Sequence, residues 1–286
     1  MEKNSLNFTI DVETCIGCGQ CASDCPAMII NMEANIPAIK EELAQFCIGC
    51  MHCVAICSED SVSILGYDSQ AGMELSGRES VDSMELERLI KSRRSVRNYH
   101  DENVEKIVID KLIEVASHAP SGHNDRQLLY TLVDDKGILY DLRDEAFAGL
   151  EKLIEEDGLP EGMEMFLDIM EAWKKTGTDI LFRKAPHLLI VSALEESASP
   201  TQDCIIALST FEIYARSRGV ATIWNGLATL VIKQLVPSLQ ERLEIPKNHT
   251  IGYAMGFGYP AIRYKRTVDR GMPQVNRVKS NTGNNR

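Results

Sequence analysis

The sequence predicts an α+β protein in two parts, a small cysteine-rich domain followed by a larger domain with a mixed sheet flanked by helices. Eight of the nine cysteines lie between Cys15 and Cys57. A segment rich in Gly, Ser and Asp follows Leu65, and helical and extended patterns alternate beyond it. We therefore place the first domain at residues 1–65, a linker at 66–83 and the second domain at 84–286.

The composition is ordinary for a globular protein, since 44% of the 286 residues are hydrophobic and 25% are charged. No stretch approaches the roughly 20 apolar residues that span a bilayer. The first residues also lack the basic start and apolar run of a secretion signal. We expect a cytoplasmic protein with no membrane partner.

Charge is unevenly distributed along the chain. The formal net charge of -12 argues against nucleic acid as a partner, because an acidic surface repels phosphates. Residues 1–65 carry nine acids and two bases, whereas the last 24 residues, from Arg263, carry seven bases and only Asp269 as an acid. The acidic part suits a basic redox partner, and the basic segments suit an anionic ligand.

The cysteines form two similar blocks, CIGCGQCASDC and CIGCMHCVAIC. A reducing compartment keeps thiols free, so this pattern favours metal ligation over disulfides. The first block ends in Cys25-Pro26 and has the spacing of bacterial ferredoxins, which it resembles. The second block repeats that spacing but has Ser58 where proline is usual.

The resemblance to ferredoxins implies a ferredoxin-like domain with two 4Fe-4S clusters. One cluster would be bound by Cys15, Cys18, Cys21 and Cys57, and the other by Cys47, Cys50, Cys53 and Cys25. A pair of zinc sites is the alternative, since four thiolates also suit zinc. It is disfavoured because two zinc sites do not require the third and fourth cysteine of each block.

His52 and Cys204 could also act as metal ligands, but neither is expected to do so. His52 lies between two cysteines, but eight thiolates leave no ligand position for it, and we expect a surface residue. Cys204 lies on a helical apolar face, which predicts a buried and unreactive thiol.

Beyond the linker, periodicity predicts the elements of the larger domain. Apolar residues at helical spacing predict two core helices, around Val104–Val115 and Cys204–Tyr214. Short apolar runs bounded by Gly, Pro or charge predict strands at Leu128–Val133, His187–Ala193 and Thr250–Phe257. Residues 151–171 carry eight acids and one base among apolar residues. We interpret them as one solvated amphipathic helix.

A basic run precedes the first of these helices, with five bases and no acid between Arg88 and Arg97. Such a run is usually a solvated face, although arginine forks next to hydroxyls also match the oxygens of a phosphate. The run, KSRRSVRNY, is followed about twenty residues later by APSGHNDRQ. Together they resemble the nitroreductase family of FMN enzymes, over residues 84 to about 276. The resemblance implies a nitroreductase-like FMN fold for the second domain.

Residue by residue, the resemblance implies a binding site for FMN. Phosphate and ribityl contacts fall on Arg93, Arg94, Ser95 and Arg97. Asn124 takes the place of the asparagine at the flavin edge, on a turn shaped by Pro120 and Ser121. The sequence departs from the family pattern just after this turn, where Asp125 and Arg126 precede Gln127.

Two later segments also resemble the family. RGVATIWNGLATL resembles the strand-to-helix turn near the reactive flavin nitrogen, which places Asn225 and Gly226 there; an ordinary turn is the alternative. The terminal segment GYPAIRYKRTVDRGMPQV contains the basic residue expected at the phosphate. Either Arg266 or Arg270 fits that position.

The resemblance implies a homodimer with FMN at the subunit interface and an oxidoreductase that reduces a small organic acceptor, such as a nitroaromatic or a quinone. Reduced ferredoxin or a similar low-potential donor would supply electrons through the clusters. No catalytic proton donor is assigned, because the family relies on flavin orientation and electrostatics. The alternatives are a relay between protein partners and a non-nitro reductase or dehalogenase of the same fold.

Aromatic and methionine residues could line an acceptor pocket, although such residues more often belong to a core. These residues are Phe147, Met163, Met165, Phe166 and Trp173.

Overall fold

The computed structural model describes residues 6–67, 69, 72–75, 77 and 81–278. The described residues form a small N-terminal domain and a larger α+β domain. Several residues of the predicted linker, and both chain ends, lie outside the described residues. The predicted boundaries at residues 65 and 83 therefore stay a prediction.

The N-terminal domain contains two short antiparallel strand pairs. Strand β1 (Thr9–Ile10) pairs with β4 (Val62–Ser63), and β2 (Ile30–Glu33) pairs with β3 (Ile36–Ile39). Two residues of the β2–β3 hairpin, Ala34 and Asn35, have positive φ, which suits a tight hairpin turn. The short helices are α1 (Gln20–Ser23), α2 (His52–Ala55) and a 3-10 helix (Glu41–Phe46).

The core of this domain is small, because two cysteines occupy much of it. Cys21 and Cys53 are buried together with five aliphatic side chains. These side chains are Ile29, Ile30, Val54, Val62 and Ile64. A core of this size leaves the domain dependent on other stabilising contacts, such as bound metal.

The larger domain is built on a four-stranded antiparallel sheet with the order β5-β6-β8-β7. Its strands are β5 (Leu128–Val133), β6 (His187–Leu194), β7 (Ala221–Trp224) and β8 (His249–Gly258). The three predicted strands are confirmed to within one residue at each end.

Helices cover both faces of this sheet. They are α3 (Ser83–Ser92), α4 (Lys106–Ala116), α5 (Lys136–Glu156), α6 (Met165–Thr176), α7 (Pro200–Ser217), α8 (Gly226–Leu230) and α9 (Ser238–Arg242). A 3-10 turn (Gly122–Asn124) precedes β5, and a π-helix (Val231–Leu235) follows α8.

Strand β6 shows why the sequence has an uninterrupted apolar run. Leu188 and Ile190 pack against α5 and α6, whereas Leu189 and Val191 pack against α4 and α7. A strand buried on both faces has no solvent side and therefore no polar alternation. Cys204 of α7 is fully buried in the second of these cores, as expected, and burial raises the pKa of its thiol to about 11.

The prediction of one solvated helix at residues 151–171 is wrong. Helix α5 ends at Glu156 and α6 begins at Met165, and the connection contains Gly158 and Gly162 with positive φ. Helix α6 also packs on the core, with Phe166, Ile169 and Met170 buried. The high acid content masked both the glycine breaks and the apolar face.

The aromatic residues considered for a pocket belong to the core. The rings of Phe147 and Trp173 stack with their centroids 4.2 Å apart. Phe166 is fully buried, and Met163 packs against the same core, while Met165 is 49% exposed. The core interpretation is confirmed for Phe147, Met163, Phe166 and Trp173.

The ends of the larger domain are more exposed. Asp82 caps α3 by accepting hydrogen bonds from the backbone amides of Met84 and Glu85, both at 2.9 Å. Residues 261–278 are exposed and form no regular element. No helix among the described residues is long and apolar enough to cross a membrane.

We predict that Gly252→Ala destabilises the fold. A Cβ at residue 252 of β8 would lie 2.1 Å from the Cβ of Cys204, which belongs to the rigid α7 helix. Overpacking of this kind costs about 1–3 kcal/mol of unfolding free energy. Chemical denaturation monitored by circular dichroism would measure it. Thr250→Ala, in the same strand, adds no atom and is the control. Equal stability of the two variants would contradict the prediction.

Candidate functional site

The structure divides the eight N-terminal cysteines into two groups, each around its own cavity. Cys15, Cys18, Cys21 and Cys57 line one cavity. Cys25, Cys47, Cys50 and Cys53 line the other. Each group therefore takes three residues from one block and the fourth from the other block.

Electrostatics follow the same grouping. Burial raises the pKa of Cys21, and the neighbouring thiolates of Cys57 and Cys18 raise it further. Burial raises the pKa of Cys53 to about 11, with further contributions from Cys50, Cys47 and Cys25. Thiolates held together in this way need a cation to compensate their charge.

Among the described residues, no three or more His, Cys, Asp or Glu side chains converge on a position for one ion. The walls around the second cavity are apolar, with Ile29, Ile39 and Ile64 among the lining residues.

The backbone of both blocks is shaped for this purpose. Gly17 and Gly49, at equivalent positions, have φ of 67° and 61°. At Gly17 a Cβ would lie 2.8 Å from the carbonyl oxygen of Asn35. The backbone amide of Ser61 also donates a hydrogen bond to Sγ of Cys57 at 3.3 Å. His52 is a surface residue as expected, and its Nδ1 lies 3.0 Å from Oδ2 of Asp24.

A third cavity lies beside strand β7. Ser95 forms a parallel bridge with Thr222, and the amide of Val96 donates to the carbonyl of Thr222 at 3.0 Å. This pairing fixes the loop after α3 against the edge of the sheet. The cavity there measures about 510 Å³ and has four arginines among its lining residues. They are Arg93, Arg94, Arg216 and Arg263.

Each of three arginines has a distinct contact. Nη1 of Arg93 donates to Oε1 of the buried Glu212 at 3.0 Å. Arg94 lies over the ring of Tyr264, with Cζ 5.8 Å from the centroid. Arg216 donates to Oγ of Ser92 at 3.3 Å. The cavity therefore has several oriented cations and suits an anion such as a phosphate.

Glu212 of α7 holds this region together. Its Oε1 accepts hydrogen bonds from Arg93 and from the hydroxyl of Thr222, each at 3.0 Å. Its Oε2 accepts from the indole of Trp224 at 3.0 Å. A buried carboxylate is tolerated here because each of its oxygens has a donor.

Some of the residues predicted from the sequence lie outside this cavity. Arg97 is exposed, and its Nη1 donates to the carbonyl of Ser95 at 3.2 Å. Arg266 and Arg270 are also exposed and do not line the cavity. Sequence reasoning missed Arg216 and Arg263, although Arg263 opens the basic terminal segment.

The turn at residues 120–127 is anchored to the first residues of α7. The amide of Gly122, which follows Pro120 and Ser121, donates to both carboxylate oxygens of Asp203, at 3.0 and 3.1 Å. Asp125 accepts a hydrogen bond from the amide of Ala198 at 3.1 Å. The turn is closed by Oγ of Ser121, which accepts from the amide of Arg126 at 3.0 Å. Gln127 is exposed.

Asn124, in this turn, contacts the N-terminal domain. Its Nδ2 donates to the backbone carbonyls of Ile48 and Gly49, both at 3.1 Å. These carbonyls lie between Cys47 and Cys50. Asn124 itself has φ of 56°, a left-handed conformation that asparagine tolerates better than most residues. The turn and the cysteine-lined cavity are therefore in direct contact.

Asn225 and Gly226 lie where β7 meets α8. Nδ2 of Asn225 donates to the carbonyl of Leu181 at 2.7 Å, and its Oδ1 accepts from the amide of Ala228 at 3.1 Å. The side chain is buried and used by the fold. At Gly226 a Cβ would lie 2.7 Å from Oη of Tyr253. A side chain at residue 226 would therefore displace this hydroxyl.

The arginine cavity and the turn of Asn124 lie at opposite corners of the sheet. Thr222 of β7 pairs with Phe257 of β8, which in turn pairs with His187 of β6. Leu128 of β5 pairs with Ala193, which lies six residues further along β6. This offset is about 20 Å along the strands, and three strand spacings add about 14 Å across them. The diagonal is about 24 Å.

Comparison with known proteins assigns this architecture. The sequence model of the nitroreductase family matches residues 90–259, which is more than half of the chain. The chain belongs to the nitroreductase family. A 4Fe-4S dicluster domain is matched at residues 7–58. The expected fold class and the expected enzyme class, a flavin-dependent oxidoreductase of nitroreductase type, are confirmed.

Two archaeal relatives carry the name NADH dehydrogenase/NAD(P)H nitroreductase. The protein from Methanothermobacter thermautotrophicus is 28% identical over 186 residues, which cover 63% of this chain and 80% of the relative. The protein from Archaeoglobus fulgidus is 26% identical over 173 residues, which cover 60% of this chain and 84% of the relative.

Solved structures of the family share the fold. An FMN-bound nitroreductase from Bacteroides fragilis has a TM-score of 0.54 and 23% identity, covering 68% of this chain and 99% of that one. An FMN-bound nitroreductase from Desulfitobacterium hafniense has a TM-score of 0.53 and 24% identity, covering 67% and 98%. The N-terminal domain is an addition to the part that these nitroreductases share.

Proposed function

We propose that this chain is an FMN-dependent oxidoreductase that takes electrons through two 4Fe-4S clusters to FMN and on to a small organic acceptor, such as a nitroaromatic or a quinone. The observation that carries the proposal is the contact of Asn124 with the carbonyls of Ile48 and Gly49. It joins the cysteine-lined cavity directly to the turn assigned to the flavin edge.

The two cysteine groups would hold the clusters. One cluster takes Cys15, Cys18, Cys21 and Cys57, and the other takes Cys25, Cys47, Cys50 and Cys53. Two separate cavities, each lined by four thiols, support this assignment. The third and fourth cysteine of each block, which two zinc sites do not require, argue against zinc.

The loop after α3 would hold the FMN phosphate. Arg93, Arg94 and Ser95 lie at the arginine cavity or beside it, and the oriented cations there match a phosphate dianion. The backbone at Gly226 would approach the flavin ring, because the fold leaves no space for a side chain there. FMN supplies the redox chemistry, while these residues bind and orient it.

A homodimer would complete each flavin site. The arginine cavity and the turn of Asn124 are separated by about 24 Å on one chain, which is too far for the short ribityl phosphate of FMN to connect them. Residues 261–278 are exposed and offer additional surface for a second copy. The two halves of a flavin site would therefore come from different chains.

The acidic N-terminal domain would receive electrons. With nine acids and two bases in residues 1–65, it suits the basic face of a reduced ferredoxin or a similar low-potential donor. Clusters of this type have low potentials within the range of about -700 to +450 mV, so transfer to FMN runs downhill.

The cluster assignment predicts about eight irons and eight acid-labile sulfides per chain. Elemental and sulfide analysis of anaerobically purified protein would measure both. Zinc in place of iron would contradict the assignment. Cys15→Ala or Cys47→Ala should lower the iron content by half, or abolish it where the ligands shared between blocks make assembly cooperative.

The FMN assignment predicts one non-covalently bound FMN per chain. It also predicts that the variant Arg94→Ala binds FMN more weakly than the wild-type protein. Loss of a charge-assisted contact to phosphate costs about 1.5–3 kcal/mol, which is roughly a 10- to 150-fold increase in Kd. Fluorescence titration of FMN into deflavinated protein would measure Kd. Arg88→Ala is the matched control, since Arg88 is exposed on α3 and does not line the cavity. Equal effects of the two variants, or release of FAD on heating, would count against the assignment.

The role of the clusters predicts the behaviour of a chain that begins at residue 81. It should bind FMN and turn over with dithionite, because the family match begins at residue 90. It should lose most of the activity driven by reduced ferredoxin. In the full chain, that activity should fall as salt rises, because the docking surface is charged. A truncated chain as fast as the full chain with ferredoxin would show that the clusters are not the inlet.

A further inference from the structure

The contact at Asn124 distinguishes the two cysteine groups. The carbonyls that accept its hydrogen bonds belong to Ile48 and Gly49, which lie within the loop that carries Cys47 and Cys50. All lining residues of the other cavity, that of Cys15 and its group, belong to residues 15–21, 37 and 57–62. The loop that contacts the turn of Asn124 therefore carries ligands of the group of Cys25, Cys47, Cys50 and Cys53, and not of the other group.

The turn is held rigidly where this contact forms. His123, Asn124 and Arg126 have φ of 52°, 56° and 50°, so a strained backbone is maintained by its surroundings. Asp203 is 4% exposed and accepts the amide of Gly122 with both oxygens. A rigid turn with one amide donor can fix the position of the cluster loop relative to α7.

The same turn lies about 24 Å from the arginine cavity of its own chain, as the register of the sheet requires. In the dimer of the proposed function, the arginine cavity that completes the flavin site at this turn would come from the other chain. The cluster loop moves with the turn, since Asn124 joins them. The cluster next to a given flavin thus belongs to the chain that does not bind that flavin's phosphate.

We propose that electrons cross the subunit interface: Cys25, Cys47, Cys50 and Cys53 of one chain would hold the cluster that supplies electrons to the FMN whose phosphate Arg93, Arg94 and Ser95 of the other chain would bind. Asn124 is the positioning residue that fixes the cluster loop at this flavin. The inference rests on the proposed function.

The electron balance needs only the donor already named. Each cluster loses one electron at a time, and two such transfers, with two protons from solvent, reduce one FMN fully. Reduced ferredoxin, or dithionite in the assay, re-reduces the clusters. The group of Cys15, Cys18, Cys21 and Cys57 lies further from the turn and would receive the electrons first.

Complementation in heterodimers tests the crossing. Cys47→Ala removes the cluster next to the turn, and Arg94→Ala removes a phosphate contact of the other half-site. At an FMN concentration between the Kd of the wild-type protein and that of Arg94→Ala, neither homodimer should transfer electrons from ferredoxin to FMN. In a heterodimer of the two single variants, isolated with two different affinity tags, one flavin site has an intact cluster and an intact phosphate loop. It should show about half of the wild-type transfer for a two-fold dimer.

The matched heterodimer pairs the wild-type chain with a chain carrying both substitutions. Crossing predicts that it is inactive, because each flavin site then contains one of the two defects. Transfer within one chain predicts the reverse pattern, with an active matched heterodimer and inactive paired single variants. That reverse pattern would overturn the proposal. The readout is bleaching of flavin absorbance after anaerobic mixing with reduced ferredoxin, with the iron and FMN content of each heterodimer measured in parallel.

The positioning role of Asn124 has a test that does not depend on flavin or turnover. Asn124→Asp replaces the donor by a carboxylate that repels the carbonyls of Ile48 and Gly49. Hydrogen exchange measured by mass spectrometry should become severalfold faster in peptides covering residues 47–53. Gln127→Glu makes the same chemical change at an exposed residue of the same segment and should leave exchange there unchanged. Equal exchange in both variants would overturn the positioning role.

Failure of the proposed function can be distinguished from failure of the subunit crossing. A wild-type protein without FMN or iron, or one whose flavin is not reduced by ferredoxin, would contradict the proposed function itself. Wild-type transfer combined with the reverse heterodimer pattern would contradict only the crossing. If Cys47→Ala lowers the FMN content of its homodimer, Cys50→Ala provides a second cluster-deficient chain for the same pairings.

Discussion

Two buried carboxylates on helix α7 determine where both halves of the candidate site lie. Asp203 holds the turn of Asn124 through the amide of Gly122, and Glu212 holds Arg93 and the edge of β7. A buried carboxylate is unfavourable unless it is fully hydrogen-bonded, so each of these residues requires its partners to be in place. Nine residues of helix separate them by about 13 Å along the axis. Because α7 packs on β6 and β8, these two contacts lie at separate places on the sheet, in agreement with the distance of about 24 Å that its register gives.

The strands could be predicted from the sequence because their determinants are local, and the uninterrupted apolar run of β6 reflects burial on both faces. The grouping of the cysteines followed from the resemblance to ferredoxins, because the fourth cysteine of each group belongs to the other block. The relation between Arg94 and Asn124 could not be predicted in this way. They are 30 residues apart in the sequence, but α4 and the register of the sheet place their segments at opposite corners. Register depends on side-chain packing across the sheet, which a motif does not record.

The residues that the sequence analysis missed share one property, which is that their function depends on a tertiary partner. Asp203 and Glu212 read as ordinary polar positions beside the apolar face of α7, although they are 4% exposed each. Arg216 near the end of that helix reads as a C-terminal basic residue that favours the helix dipole. An acidic residue immediately beside a core stripe is the available signal, because charge at such a position is costly unless it is paired.

In the proposed function, the hydrogen bonds of Asn124 would position the N-terminal domain at the flavin. Its own core is small, and its cysteines occupy part of that core, so a bound cluster would make the loop of Cys47 and Cys50 more rigid. One amide that binds two successive carbonyls of a rigid loop defines the position of that loop. Electron transfer requires close approach and no substrate-shaped pocket. A contact through the backbone between Cys47 and Cys50 would meet that requirement, and it would leave the remaining acidic surface free for the proposed donor.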